Sequence, residues 1–256
     1  MEPSETSPAQ PPGRLEAWKK LKSLHPRPLD LGRLALIEAR SRAELADPAQ
    51  LAALIPELGL NDEAIEEIPA HLHPWCGQGL RIWQYPNQFG RYLADLAGRR
   101  ISSYLEIGVR HGGTFVATVE ILGRFHPLDR AVGVDVIPCP SLVEYGRRNP
   151  RAEFLCANTQ SPEFARRLDE RGRFDLVLID SLHEERQCRA EFETVRERAA
   201  IVAFHDIASV RYPGVAKVWS EVRAAGEHDC VEFTDQYESV GASYMGLGVA
   251  VRKDRA

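Results

Sequence analysis

The sequence predicts an α/β fold built on a mostly parallel, seven-stranded sheet flanked by helices. Three observations predict it. Beyond Arg100, short apolar runs alternate with amphipathic segments long enough to cross a sheet, as repeated βαβ units require. The first run closes in a glycine-bearing turn, E-I-G-V-R-H-G-G, that opens a helix at Gly112 and Gly113. Later runs stop abruptly in acidic or imidazole side chains, which a parallel sheet would gather at one edge.

Taken in order, the strands are SYLEIGV, AVGVDV, AEFLCA, FDLVLID and AIVAFHD, followed by CVEFT and GLGVAV to close the sheet. Crossovers are supplied by helices over Gly112 to Leu122, Ser141 to Arg148, Pro162 to Arg171 and Glu184 to Arg198; the last keeps Cys188, Phe192 and Val195 on one face. A further helix, GVAKVWSEVRA, precedes the last two strands. Residues 101–256 therefore read as one domain. Ahead of it, residues 1–13 carry four prolines among small polar residues and read as a disordered tail. Residues 14–100 read as a helical extension, with LEAWKKLKSL, LGRLALIEARSRAEL, PAQLAALIPEL and Asn87 to Leu96 placing apolar residues at three- and four-residue intervals.

Hydrophobic residues make up 44% and charged residues 27% of 256, the balance of a soluble globular chain. A net charge of -5 argues against nucleic-acid or membrane-surface binding, which needs clustered positive charge, and favours a small-molecule partner. Five cysteines without C-x-x-C spacing suggest neither a disulfide framework nor structural zinc. With no signal-peptide pattern at the start, the expected compartment is the cytoplasm.

The candidate chemistry lies at strand ends. Glu106 and Gly108 end the first strand, and Gly112 opens a helix whose amino terminus offers free N–H groups; the turn suits a nucleoside-like ligand or is simply structural. Its spacing departs from G-x-G-x-x-G, which counts against a nicotinamide site. Asp135, twenty-seven residues after Gly108, is placed to accept from both ribose hydroxyls, the alternative being a loop carboxylate. Asn158 either meets an adenine or starts a turn. Asp180, with His183 three residues on, and the pair His205 and Asp206 end the fourth and fifth strands. Together they suit a divalent cation, the bland alternative being helix capping and loop hydrogen bonds.

With these motifs the chain resembles the class I methyltransferases dependent on S-adenosylmethionine, a Rossmann-like fold. More narrowly, SYLEIGVRHGGTF, VGVDV, FDLVLIDSLH, IVAFHDI and PGVAKVWSEV resemble the metal-dependent sugar O-methyltransferases of macrolide tailoring and the related cephalosporin-hydroxylase-type group, over Ser102 to Arg252. The resemblance implies that Glu106, Gly108, Gly112, Asp135, Asn158 and Asp180 line the S-adenosylmethionine site. It further implies that Asp180 and Asp206 bind a divalent metal, magnesium in that group, and that His183 is the general base. The macrolide enzymes have Glu-Asp where this chain has His205 and Asp206, so either the imidazole joins the coordination shell and favours a softer metal, or the metal is bound weakly or not at all. Helical extensions in that group often mediate self-association, which implies a homo-oligomer.

The expected reaction is metal-assisted O-methylation of a hydroxyl on a sugar or natural product. Two rivals stand beside it: metal-independent O- or N-methylation with His183 or His205 alone as base, and a non-catalytic, cofactor-binding partner in a biosynthetic complex. The aromatic stretch His71 to Gln88, with Trp75, Trp83 and Tyr85, offers a lid over the acceptor or else core packing, and Tyr237 with the loop through Ser243 would form the opposite wall.

Overall fold

A computed structural model of the chain describes residues 27–253. The expected tail and the helix LEAWKKLKSL lie outside them. Seven strands form one sheet: β1 (Ser103–Ile107), β2 (Arg130–Asp135), β3 (Ala152–Cys156), β4 (Phe174–Ile179), β5 (Ala199–His205), β6 (His228–Phe233) and β7 (Leu247–Arg252). Their order is β3-β2-β1-β4-β5-β7-β6. β1 pairs in parallel with β2 and β4, β2 with β3, and β4 with β5. Only β7 runs antiparallel, to both β5 and β6. This is the Rossmann-like architecture that the sequence predicts.

Side chains alternate across the strands, so each strand feeds two cores. On one face Leu105, Ile107, Val132, Val177, Val202 and Phe204 meet the helices that follow β3, β4 and β5, numbered α7 to α9 below, through Phe164, Phe192 and Trp219. On the other face Tyr104, Leu176, Leu178 and Ile201 share one continuous core with Phe115, Leu142 and residues 31–96 of the extension. The extension is therefore the outer layer of half the sheet.

Its helices are short, and the chain shows why. The run LGRLALIEARSRAEL, expected as one helix, is a 3-10 turn (Leu31–Arg33), α1 (Leu34–Glu38) and α2 (Arg42–Ala46). Ser41 divides it, because its hydroxyl accepts from Glu44 N while the Glu44 carboxylate accepts from Ser41 N, a reciprocal cap that starts a new helix. The end of α1 is held by Arg124, whose guanidinium donates to the carbonyls of Ile37, Glu38 and Arg40. α3 (Pro48–Leu58) is capped by Asp47 with Pro48 in its first turn, and α4 (Pro86–Ala97) buries Phe89, Tyr92, Leu93 and Leu96 against the sheet side of the core.

The remaining helices are α5 (Gly113–Gly123), α6 (Pro140–Arg148), α7 (Pro162–Arg171), α8 (Glu185–Val195) and α9 (Pro213–Ala224). α5 meets the extension at Gly113, where an added Cβ would lie 1.8 Å from the Leu80 carbonyl oxygen. Gly123, at the far end of the same helix, has nothing within 4 Å of that position. Gly113→Ala should therefore cost about 2 kcal/mol or more through overpacking, whereas Gly123→Ala should be neutral or gain about 0.5 kcal/mol. Thermal unfolding of the two variants checks this; equal melting temperatures would show that the Leu80 segment does not rest on α5.

Candidate active site

The strand order turns back between β1 and β4, and there the loops after the two strands part to leave a crevice at their carboxyl ends. A cavity of about 640 Å³ fills it. Glu106, Gly108, Asp135, Asn158, Asp180, His183, His205 and Asp206 all line this one cavity, although they come from five strand ends. Gly112 does not. It is the left-handed residue before α5 (φ 91°), packed on Leu142, and its neighbours Gly113 and Thr114 reach the cavity instead. Gly108 (φ 93°) has an intrachain reason for being glycine: a Cβ there would sit 1.9 Å from the Asp180 carbonyl oxygen.

The first part of the cavity is organised around buried carboxyls. Asp135 accepts from Arg110 N (2.9 Å) through Oδ2 and from Ile137 N (3.0 Å) through Oδ1. Glu106 is 1% exposed; burial pushes its carboxyl well above the usual range, and the Tyr104 hydroxyl, two residues back on the same face of β1, donates to it. Asn158 spends its side-chain oxygen on Gln160 N (3.0 Å), the local turn that was its alternative reading, while still bordering the cavity. Glu191 was not foreseen. It falls between Cys188 and Phe192 on the inward face of α8, burial raises its carboxyl, and it accepts from Thr159 Oγ1 (2.7 Å), Ser181 Oγ (2.5 Å) and Gln187 Nε2 (3.0 Å). A glutamate on an otherwise apolar helix face was the signal available.

The second part is a compact cluster of two imidazoles and two carboxylates. His183 Nε2 lies 3.0 Å from Asp180 Oδ1 and 3.2 Å from Asp206 Oδ2. His205 Nδ1 lies 3.0 Å and 3.5 Å from the same two oxygens. Although close, His205 is out of line: both its ring nitrogens are buried without a directed hydrogen bond, in a residue 4% exposed. Burial alone would raise the Asp180 carboxyl, but the charge of His205 and the hydrogen bond from His183 hold it well below the usual range. Burial would lower His205, yet the charges of Asp180 and Asp206 lift it well above the usual imidazole range. Asp180, His183 and His205 each present a ligand atom within 4.8 Å of the others, a grouping that can hold a metal ion. Tyr212, also unforeseen, stacks on His183 with ring centroids 4.6 Å apart.

The third part comes from the extension. Asn61, Ala64, Glu67, Arg81 and Trp83 line the cavity opposite the strand ends. Of the three aromatic residues proposed as a lid, Trp83 alone reaches it; Tyr85 is fully buried and Trp75 packs against the core. Tyr237 lies against Tyr85 and His71 by ring edges and does not line the cavity, so it forms no opposing wall. Arg211, after β5, ties the two sides together by pairing with Glu66 (2.9 Å) and Glu67 (2.7 Å). Among the described residues, six non-glycine residues have left-handed backbone: Ala64, Arg81, Arg110, His183, Asp206 and Met245. All six line the cavity. Such conformations cost about 1–3 kcal/mol each and concentrate at functional sites.

Residues 105–207 match a family model described as a methyltransferase domain. No curated protein matches the chain. Among solved structures, the chain is similar to an O-methyltransferase from Bacillus cereus in complex with SAH, at 16% identity and a TM-score of 0.52, covering 93% of this chain and 100% of that one. That likeness extends over the extension as well as the sheet and is one of fold. Cofactor-bound Rv0187 from MTB aligns at 19% identity and TM-score 0.48 over 65% of this chain and 80% of its own. MycE methyltransferase from the mycinamycin biosynthetic pathway, in complex with Mg, SAH and mycinamycin VI, aligns at 19% identity and TM-score 0.46 over 68% of this chain and 51% of its own.

One ion pair fastens the extension to the turn after β1. Arg110 donates to Glu63 through Nε (3.0 Å) and through Nη2, and His111 Nε2 lies 3.3 Å from the same carboxylate. Burial would raise Glu63, but His111, Arg110 and their charges bring it down from 4.5 to about 2. His111 is itself held below its usual value by burial, so Arg110 is the standing counter-charge. A depressed carboxyl stabilises the fold above its unfolded value, and that contribution is lost as pH falls from 4.5 toward about 2. Glu63→Gln should lower stability at neutral pH by at most about 3 kcal/mol and flatten the acid limb in that window. Urea unfolding across the acid range reads it; an unchanged limb would place the pH dependence elsewhere.

Proposed function

We propose that this chain, which carries a class I methyltransferase domain, transfers the methyl group of S-adenosylmethionine to a hydroxyl of a small molecule such as a sugar or natural product, with help from a divalent cation. The observation that carries this reading is the meeting of Asp180, His183, His205 and Asp206 in the same cavity as Asp135 and the Glu106 to Gly108 turn. The residues fit a nucleoside cofactor: Asp135 stands on the cavity at the end of β2, oriented by two backbone N–H groups, and the amino end of α5 has no side-chain cap competing for its N–H groups. They also fit a cation, since His205 brings two buried nitrogens without hydrogen-bond partners to a pair of carboxylates. Asp180, His205 and Asp206 would hold it.

When bound, the cofactor supplies a methyl group already activated by its sulfonium, and the cation lowers the pKa of a hydroxyl. The chain then has to align the acceptor and take up one proton. His183 is the residue for the proton: imidazole suits a base near neutral pH, its ring is fixed by the Tyr212 stack, and it is only partly buried, at 19% exposed, where an acceptor can reach it. Trp83 and the Arg211 bridge to Glu66 and Glu67 stand on the opposite side. The five cysteines are free thiols, in keeping with work in a reducing cytoplasm.

A second reading has one observation in its favour. His183 Nε2 already sits within 3.2 Å of both carboxylates, so it can act as a base oriented by Asp180 and Asp206 with no metal. Methyl transfer that survives exhaustive chelation would select this metal-free form.

Calorimetry with S-adenosylhomocysteine tests the cofactor assignment. The wild-type chain should bind it, and Asp135→Ala should weaken binding by about 10- to 100-fold, the worth of hydrogen bonds to a charged group. No binding by the wild type would overturn the reading. His183→Ala should keep that affinity, while turnover in an acceptor screen that follows S-adenosylhomocysteine release falls by about 10²- to 10⁴-fold. Unchanged turnover would remove His183 from the mechanism.

A further inference from the structure

The donor set says more than that a cation can bind. Magnesium demands near-ideal octahedral oxygen coordination, keeps several waters and is usually held through one or two carboxylates. Imidazole suits zinc, iron, nickel and related ions instead. Here an imidazole lies in the middle of the donor set: His205 Nδ1 is 3.0 Å from Asp180 Oδ1 and 3.5 Å from Asp206 Oδ2. Separations of roughly 3.0–3.5 Å are those of neighbouring ligand atoms around one ion at the ~2.0–2.2 Å distances of first-row transition metals. The ring is nearly inaccessible, at 4% exposed, and none of its nitrogens has a directed hydrogen bond among the described residues. Its Nδ1 meets the two carboxylates by charge, whereas its Nε2 has no hydrogen-bond partner among the described residues, and a buried polar atom left so is costly unless something satisfies it.

From this arrangement we infer that the site is built for a first-row transition-metal ion such as cobalt, zinc or iron(II), bound through His205 together with Asp180 and Asp206, in preference to magnesium. The inference rests on the metal-assisted reading above and narrows it. His205 decides the selectivity, because it is the one nitrogen donor that ends a strand in the core of the cluster, where water cannot replace it. His183 Nε2 approaches the same two oxygens from the more open side, so a second imidazole would add to the same preference.

The test uses the full-length chain stripped with chelator and saturated with S-adenosylhomocysteine. It is titrated with magnesium, cobalt or zinc chloride by calorimetry, and the visible absorption of bound cobalt is followed in parallel. Cobalt and zinc should bind at one site at least about tenfold more tightly than magnesium. His205→Glu, which supplies oxygen in place of nitrogen, should weaken cobalt, strengthen magnesium and bring the two affinities together, with cobalt absorption losing its nitrogen-ligand character. Thermal unfolding and S-adenosylhomocysteine binding of the variant show that it is folded. If magnesium binds the wild type as tightly as cobalt, or His205→Glu leaves the preference unchanged, the inference is overturned while metal assistance stands. If no ion binds, metal assistance falls with it, and the methyltransferase reading is then judged on S-adenosylhomocysteine binding alone.

Discussion

Everything at the catalytic edge depends on how closely β1 and β4 approach where they end. Gly108 N donates to Val134 O at 2.8 Å and Asp180 N donates to Ile107 O at 2.8 Å, so three strand ends are stitched together one residue past the regular ladder. The backbone of Asp180 then occupies the space where any side chain at Gly108 would go. That contact fixes the height of Asp180 relative to Asp135 and Glu106, and so turns a set of separate strand ends into one cavity. A glycine assigned from the sequence to ligand approach serves first to let two segments of the chain touch.

Gathering carboxyls in this way has an electrostatic cost, and the structure offsets it differently at each position. Glu106 and Glu191 are buried where their carboxyls are pushed upward, and hydroxyl or amide donors satisfy them. Asp135 keeps backbone N–H partners at 2.9 and 3.0 Å. Asp180 and Asp206 are met by imidazoles at 3.0 to 3.5 Å. Backbone strain is concentrated here too: the left-handed conformations of His183 and Asp206 turn both side chains of the cluster into the cavity directly after their strands.

The sheet and its crossovers were legible because short apolar runs alternating with amphipathic segments are a strong pattern, and each of the seven runs became a strand. The polar residues at those strand ends that line the cavity were legible for the same reason. What escaped was set by tertiary packing. Glu191 shows in the sequence only as a glutamate among the apolar positions of one helix face, and its partners appear only once α8 is laid on the sheet; Tyr212 takes its place only through the ring of His183. The long apolar period of residues 31–45 hid a capping box at Ser41 that breaks it. Tyr237, expected in a wall of the site, packs outside it because its partner Tyr85 lies far away in sequence and is fully buried.

The extension changes most between sequence and structure. Helical periodicity made it an appendage, yet its apolar faces are the cover of the β1, β4 and β5 side of the sheet, and without them Leu176, Leu178 and Ile201 would face water. Burial of each such side chain is worth about 1.5–3 kcal/mol, so the sheet and the extension stabilise each other. The same loops that seat the helices carry Asn61, Ala64, Glu67, Arg81 and Trp83 to the cavity, and Glu63 grips the turn after β1 through Arg110. One face of the crevice is therefore made of strand ends and the other of loop residues from the extension, each side held to the other through Glu63 and Arg110.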